Sequence, residues 1–570
     1  MEIGRHGWDE GDWNGGSGHG SHKDVLCRKS LTCSTQCRPE RYLLRSLPNT
    51  TGERSVSGSC SIIMSEKNIS TPLEIELKLL FPPDARALLD RFLAEKTDAT
   101  EAVTKHLVTT YHDTPDLLLS RSGLSLRIRH TGHQRIQTLK SQGDGNRLAP
   151  RRGEWEWPVK SDHPDLDLLS GTPAEVLRTA LNGKLEPVWL SDVRRTTHML
   201  RHDGATVELA IDEGFVRAGE ARVSLRELEL ELKNGPATAL YSLALALQEQ
   251  IPLRFSTLSK AERGYRLLTG TPPAVEPVQI PPLSREMTLV EGFRTLIQAG
   301  VNGLIANQPA AEAGDPEAIH QMRVAIRQLR TMLQLFSKYT ERRTLDPFQG
   351  ELQRIGRELG EARDWDVFCL ETLPAAFTEE NGTDLTRMLR NAAADKRTEA
   401  HQHLFRELHG TALTTLLLSL TLWTENHPFR EDDTHLTRPA SDSASKLLNR
   451  MARKAMRRGH GMSHLSEAEL HGLRKSLKKL RYSTRYFSAF YPHHAGKTYM
   501  KRCKRLQQHL GEINDAAVAS TLTDTLIKAH LDLAPAASIL THWNEERHRH
   551  ALRALPDSWK DFQETEPFWN

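Results

Sequence analysis

Between Leu73 and about Leu268, apolar and polar residues alternate in short runs. These are EIELKLL from Glu74, GLSLRIR from Gly123, RIQTLK from Arg135, EWEWPV from Glu154, TVELAID from Thr206 and LRELELELK from Leu225. A period of two sends successive side chains to opposite faces of a pleated backbone, so these runs predict β-strands. Asp84–Glu95 and Ala237–Gln250 instead have helical spacing. Together they predict an α+β domain dominated by antiparallel strands. Thr269–Ser284 (TGTPPAVEPVQIPPLS) contains five prolines, which block helix and central strand alike, and is read as a linker. Beyond it the apolar spacing is helical almost to the C-terminus, which predicts a separate all-α domain.

The expected organisation is therefore a tail over residues 1–63, a strand-rich domain over 64–268, a linker over 269–284, a helical domain over 285–555 and a C-terminal tail over 556–570. Residues 1–63 are rich in Gly, Ser, His and Arg, have no sustained periodicity and lack the apolar core of a signal peptide; a disordered tail is expected. Met64 stands just ahead of the first patterned run (MSEKNISTPLEIELKLL) and is a candidate start.

A length of 570 residues suits two domains, and 26% charged residues suit a soluble chain. No apolar run approaches the ~18 residues of a membrane span; Leu413–Leu422 is interrupted by Thr and Ser and fits a buried helix. The net charge of +3 averages acidic pairs in the first half against basic helical stripes in the second. Of six cysteines, Cys27, Cys33, Cys37 and Cys60 lie in the first 60 residues, and only Cys369 and Cys503 lie beyond. That distribution argues against a disulfide framework and for a reducing, cytoplasmic setting. The spacing of Cys27, Cys33 and Cys37 matches no standard zinc pattern.

In a strand, Glu74, Glu76 and Lys78 share one face, and Ile75, Leu77 and Leu79 the other. One such strand would ordinarily have a solvated charged face. Here the pattern recurs at Glu229, Glu231 and Lys233, with a further acidic pair at Glu154 and Glu156. Arg127 and Arg129 are the basic counterpart, and Lys140 closes another strand. The apolar faces need cover from helices, which leaves the charged faces looking inward; a closed, polar-lined barrel meets both demands. Such a lining suits a triphosphate. Arg and Lys neutralise its oxygens, with Arg offering a planar fork. Carboxylates hold a hard cation such as Mg²⁺ or Mn²⁺, which polarises phosphoryl or activates water. No Gly-rich Walker loop is present, and no serine or cysteine nucleophile arrangement is apparent.

In the helical half, His320, Arg323, Arg327 and Arg330 read HxxRxxxRxxR, which confines them to a sector of roughly 80°. His471, Arg474, Lys478 and Arg481 repeat the spacing 151 residues later. Leu359-Gly360-Glu361 recurs as Leu510-Gly511-Glu512, and Asp364 as Asp515, at the same offset. Two related helical halves packed with pseudo-symmetry are expected. The further cations Arg450, Arg453, Lys454, Arg457 and Arg458 are read as a solvated face, and Cys503 as an incidental thiol.

The first domain resembles the CYTH family, the triphosphate tunnel metalloenzymes, over essentially its whole length. The resemblance rests on EIELK at Glu74, YHDTPDLLLSRSGLSLRIR at Tyr111, TLK at Thr138, RRGEWEW at Arg151, RRTTHML at Arg194, VELAIDEGFVRAGE at Val207, ELELELK at Glu227 and LSKAERGY at Leu258. It implies an eight-stranded antiparallel tunnel with Glu74, Glu76 and Lys78 in catalysis. Metal binding would fall to Glu74, Glu76, Asp212, Glu229 and Glu231, and phosphate binding to Lys78, Arg127, Arg129, Lys140, Arg195 and Lys260. Alternation lets only one of Arg194 and Arg195 face inward, and Arg195 is chosen; Glu154 and Glu156 are further lining candidates. Residues 285–555 resemble the CHAD domain, which implies a basic surface for inorganic polyphosphate built from the two HxxRxxxRxxR-type stripes, with Asp364 and Asp515 pinning basic side chains. By resemblance to bacterial inorganic triphosphatases, the expectation is Mg²⁺- or Mn²⁺-dependent hydrolysis of inorganic triphosphate, with a polyphosphate-binding helical domain. The alternatives are thiamine triphosphatase or adenylyl cyclase chemistry in the same tunnel, or polyphosphate binding without turnover. Nucleic acid is disfavoured, because aromatics suited to base stacking do not interleave the stripes, and no membrane partner is expected.

Overall fold

The computed structural model describes residues 73–96, 102–141, 143, 146–377, 383–426, 429, 436–492, 494 and 496–569. The expected tail over 1–63, the candidate start Met64 and the four N-terminal cysteines lie outside the described residues.

Nine strands carry the first half: β1 (Leu73–Leu80), β2 (Val103–Asp113), β3 (Leu124–Thr131), β4 (Gln134–Ser141), β5 (Arg151–Val159), β6 (Glu186–His202), β7 (Ala205–Ala218), β8 (Ala221–Asn234) and β9 (Arg254–Phe255). They are ordered β5-β4-β3-β2-β6-β7-β8-β1, all antiparallel, and β1 pairs back onto β5, so eight strands close a barrel. The long hairpin β6–β7 turns on Asp203-Gly204, both at positive φ, as a two-residue turn between twisted strands requires. Closure is incomplete along the β1–β5 seam. Their ladder stops at Ile75 opposite Arg151, because the preceding Pro150 has no N–H to extend it, and β9 takes up the far end of β1 at Leu79.

Short helices α1 (Arg86–Ala94), α2 (Leu118–Arg121) and α3 (Arg178–Leu181) and the longer α4 (Thr238–Gln248) and α5 (Lys260–Thr269) surround the barrel. The outward apolar faces of β1, β7 and β8 (Leu77, Leu79, Leu209, Leu228 and Leu230) are fully buried in one core with Leu89 and Phe92 of α1 and Leu240 and Leu243 of α4. Strands β2 and β6 were not resolved as period-two runs. Their inward positions hold Thr109 and Ser191, and bulky Tyr111 and Trp189 break the simple alternation.

The second half is helical: α6 (Leu289–Glu312), α7 (Pro316–Phe336), α8 (Arg342–Val367), α9 (Leu373–Ala376), α10 (Asp384–His409), α11 (Ala412–Glu425), α12 (Ala440–Gly459), α13 (Glu467–Tyr486), α14 (Lys497–Ala529) and α15 (Ala534–Gln563). The starts of α6 and α12, and of α7 and α13, are each 151 residues apart, the offset already seen in the basic stripes. Both α7 and α13 open on a side-chain cap, Asp315 in one and the Ser466/Glu469 capping box in the other.

The two halves share one apolar core that runs from β1 to Trp569. Helix α4 packs on α11, the Phe255 N–H donates to Thr414 Oγ1 at 2.8 Å, and Arg254 pairs with Glu312 at 3.0 Å. The proline-rich stretch is extended, as its composition requires, yet it is packed: Val278 and Leu283 are buried, and the N–H groups of Glu276 and Val278 donate to Asn307 and Gln321. Among the described residues, no helix is long and apolar enough to cross a membrane.

Helix α5 is seated by its capping box, Ser259 with Glu262, and by Gly264, whose missing side chain leaves room for Trp189. Trp189 in turn stacks on Tyr111 with centroids 3.6 Å apart. A Cβ at Gly264 would fall 2.1 Å from the indole ring. Gly264→Ala is expected to cost about 1–3 kcal/mol by overpacking, read as a lower Tm in thermal unfolding of the full chain.

Candidate active site

Strand alternation and barrel closure turn the charged faces into a cavity of about 280 Å³. The structure brings Glu74, Glu76, Lys78, Arg127, Arg129, Lys140, Arg195, Asp212, Glu229, Glu231 and Lys260 together in its lining. Arg195 turns inward and Arg194 is exposed. Glu154, Glu156 and Lys233 also reach the lining. Eight carboxylates there face eight ammonium or guanidinium groups.

Cross-strand register decides which charges meet. Lys78 lies opposite Glu229, Arg195 opposite Asp212 and Lys140 opposite Glu154. Arg195 grips both Asp212 oxygens at 2.7 Å through Nε and Nη2, and also pairs with Glu229. Lys260, the first residue of α5, inserts its ammonium among Glu227 at 2.5 Å, Glu229 at 2.6 Å and Asp212 at 2.8 Å. Glu76 lies 2.6 Å from both Lys78 and Arg152, and Lys140 bridges Glu74 at 2.8 Å and Glu154 at 3.0 Å. Burial alone would raise the Glu229 carboxyl, but Arg195, Lys260 and Lys78 overturn that and hold it well below the usual range. Burial likewise works against a charged Lys260, and its three carboxylates more than offset it, so its ammonium is held above the ordinary range.

Two places in the lining are neutralised less completely: Arg129, and the pair Glu231 and Glu208, which share the one ammonium of Lys233 at 2.6 and 3.4 Å. Arg129 makes no ion pair among the described residues; Arg127, then burial, then Arg195 push its guanidinium down to about 10. The other is a row of carboxylates. Glu76, Glu231 and Glu208 are directly opposite one another across β1, β8 and β7, which is repulsive unless a cation lies between them. Burial, with Glu74 and Glu208 nearby, raises the Glu231 carboxyl although Lys233 lies 2.6 Å away.

In the helical half, the two basic stripes meet because α7 packs on α13. Arg323 donates to the Gly360 carbonyl and to Asp364, both at 3.1 Å, and Arg474 lies 3.7 Å from Asp515, so the two halves repeat one Arg–Asp pin. Lys478 sits between the stripes. Burial first, then Arg474, Arg327 and Arg323, outweigh Asp515 and push its ammonium down to about 6. His320 lies beside Arg327, Arg363 and Arg323, and Arg481 beside Arg327. His471 bonds Asn514 at 2.7 Å and lies beside Arg474 and Lys478. Arg330 stands apart from this group, next to Lys479, and Lys454 and Arg458 of α12 join it there.

A family model described as CYTH domain matches residues 72–265, and one described as CHAD domain matches residues 295–524. The chain is a CYTH domain followed by a CHAD domain. An inorganic triphosphatase of Haemophilus influenzae is 33% identical over 196 residues. That match covers 34% of this chain and spans only about half, 54%, of the relative. An uncharacterized protein of Mycobacterium tuberculosis is 24% identical over 452 residues, which is 74% of this chain and 82% of that protein. The solved CHAD domain from the plant Ricinus communis is 26% identical, covers 51% of this chain and 98% of its own, and superposes with a TM-score of 0.45.

CYTH tunnels imply a divalent metal, and two acidic groups in this tunnel are candidates to hold it. Oxygens of Asp212, Glu227 and Glu229 lie within 4.8 Å of one another, but the Lys260 ammonium already occupies their midst. The row Glu76–Glu231–Glu208, with Glu74 beside it, fits a hard cation better: it offers oxygen donors, and although Glu76 pairs with Lys78 and Arg152, Glu231 and Glu208 share one ammonium, that of Lys233. Glu208, Glu227, Arg152 and Tyr111 belong to the site but were not among the residues expected from sequence. The first three carried a usable signal, since each lies two or four positions from a chosen residue on the same strand face. Tyr111 carried none, because an aromatic in a strand reads as core.

Lys478 has a consequence for stability. Its pKa is near 6 in the fold against an ordinary 10.5, so between those values the unfolded chain binds more protons and stability rises with pH. Lys478→Met removes a group that must give up its proton on folding and is expected to raise Tm at pH 7, by a margin that narrows as pH approaches 10.5; differential scanning fluorimetry across that range checks it.

Proposed function

We propose that the CYTH tunnel hydrolyses inorganic triphosphate to pyrophosphate and phosphate with Mg²⁺ or Mn²⁺, and that the CHAD groove binds inorganic polyphosphate. The observation that carries the first part is the division of the tunnel wall. Basic side chains on β3, β4 and β6 face a carboxylate row on β1, β7 and β8 across a cavity of about 280 Å³. Arg127 and Arg129 would take phosphoryl oxygens in forked hydrogen bonds, with Lys140 and Arg195 beside them. Glu74, Glu76, Glu208 and Glu231 would hold the metal, which when bound supplies charge neutralisation and polarises phosphoryl oxygen. Lys78 and Lys260, kept protonated by Glu229, would follow the charge that develops as the bridging bond lengthens. The lining has as many anionic as cationic groups, so it cannot by itself neutralise a triphosphate; turnover should therefore depend on metal. Similarity to the Haemophilus influenzae inorganic triphosphatase supports this substrate. Tyr111, the aromatic of the described tunnel lining, stacks on Trp189, which takes up one of its ring faces and disfavours a base there. The spread of cysteines supports action in the cytoplasm.

Phosphate release from tripolyphosphate, ATP and thiamine triphosphate, each with Mg²⁺, Mn²⁺ or EDTA, tests the reading. Tripolyphosphate is expected to be the preferred substrate. Turnover should vanish in EDTA and fall by at least about 100-fold in Glu76→Gln, beyond the loss typical of an outer metal partner. Preference for either organic triphosphate would move the tunnel to that chemistry. Intact substrates with retained binding of labelled polyphosphate would leave a binding protein.

The CHAD reading rests on the convergence of Arg323, Arg327, Arg474 and Lys478 between α7 and α13. Arg474→Ala combined with Lys478→Ala should weaken polyphosphate binding by about tenfold or more and flatten its salt dependence. Competition by single-stranded DNA should be weak; strong competition would make the groove a general polyanion site.

A further inference from the structure

Beside the β1–β5 seam lies a second chamber, about 490 Å³, which shares Glu76, Lys78, Lys140 and Arg152 with the tunnel cavity as a common wall. Its far walls come from α2, the β4–β5 loop, α5 and, from the CHAD domain, Ile305 of α6. Its charge differs from the tunnel's. Away from the shared residues, and among the described residues, it adds Arg121, Arg147 and Arg266 against one carboxylate, Glu262, which is already committed to capping α5. Half-buried Arg266 has a buried Nη1 with no hydrogen-bond partner. Arg121 is held only by a solvent-exposed pair with Asp116, which costs little to break. The CHAD domain and the linker together fix Arg147: its N–H donates to Asn302 of α6 at 3.0 Å, and its guanidinium pairs with Glu276 of the linker at 2.6 Å.

We infer that this chamber binds the phosphate units of a linear polyphosphate that project beyond the three held in the tunnel, a reading that rests on the triphosphatase assignment. The guanidinium groups that line it and the basic wall it shares with the tunnel call for an anionic chain. An organic base is disfavoured because the two aromatic rings on the wall are occupied: Tyr265 donates to Asp113 and meets Trp189 edge-on, and Phe255 is buried in the shared core. The CHAD domain thereby takes part in chain-length selection through α6 and the loop it holds.

The test compares kcat/KM for tripolyphosphate, linear tetrapolyphosphate and ATP in the full-length chain and in Arg266→Ala and Arg121→Ala; the second lies on the exposed rim, where folding is indifferent to it. The tetrapolyphosphate-to-tripolyphosphate ratio is expected to fall about tenfold in Arg266→Ala, the loss of one charged hydrogen bond, and severalfold in Arg121→Ala, with tripolyphosphate itself changed less than about twofold. An unchanged ratio in both variants, or a selective loss of ATP turnover, would overturn the inference. If wild type leaves tripolyphosphate intact, the triphosphatase reading fails by itself. The chamber is then read by calorimetric binding of tetrapolyphosphate: a tenfold weaker affinity in Arg266→Ala supports it and equal affinity refutes it.

Discussion

The tunnel can exist only because its buried charges neutralise one another. Taking a single carboxylate or ammonium out of water is expensive enough to unfold a domain, and here sixteen line one cavity. The network solves this by sharing. Glu229 serves Lys78, Arg195 and Lys260 at once, and Lys260 serves Glu227, Glu229 and Asp212. Glu229 and Lys260 are thereby held in their charged forms against the pull of burial, and this part of the lining is set before any ligand arrives.

The same balance shows where a ligand is wanted. Among the described residues parity holds for the lining as a whole but not at every point: Arg129 makes no ion pair, and Glu76, Glu231 and Glu208 are opposed across three strands. An anion near the first and a cation near the second would complete both, which is the pairing that a metal-bound polyphosphate provides. The repulsion among the carboxylates is offset elsewhere, by the apolar outer face of the same strands under α1 and α4.

In the CHAD domain the same physics is arranged without parity. Two helices related by the internal repeat face their cations toward each other, and among the described residues the carboxylates ion-paired with them are Asp364 and Asp515. The outcome is a lysine driven down to about 6 rather than a neutralised network. The two domains are also mechanically joined. Their apolar cores are continuous, and α6 holds the loop that leads into β5, so a change in the CHAD domain has a physical route to the tunnel mouth.

Much of this was legible in the chain itself. Alternation in EIELK and ELELELK placed carboxylates on one strand face, and an exact repeat of 151 residues announced two helical halves, because both depend only on local backbone period. The proline-rich stretch was correctly extended for the same reason. Strands β2 and β6 were faint, since their inward faces mix small polar, apolar and aromatic side chains (Leu107, Thr109, Tyr111, Ser191, Val193) with a single charge, Arg195. What no local period encodes is which strand lies beside which and in what register. The opposition of Glu76, Glu231 and Glu208, the seating of Lys260 among three carboxylates and the chamber beside the β1–β5 seam all arise from that long-range pairing. The sequence by itself determined the inward-facing chemistry and the repeat; tertiary structure alone decided which charges neutralise each other and which are left for a ligand, because electrostatic partners are set by distance in space and not by spacing along the chain.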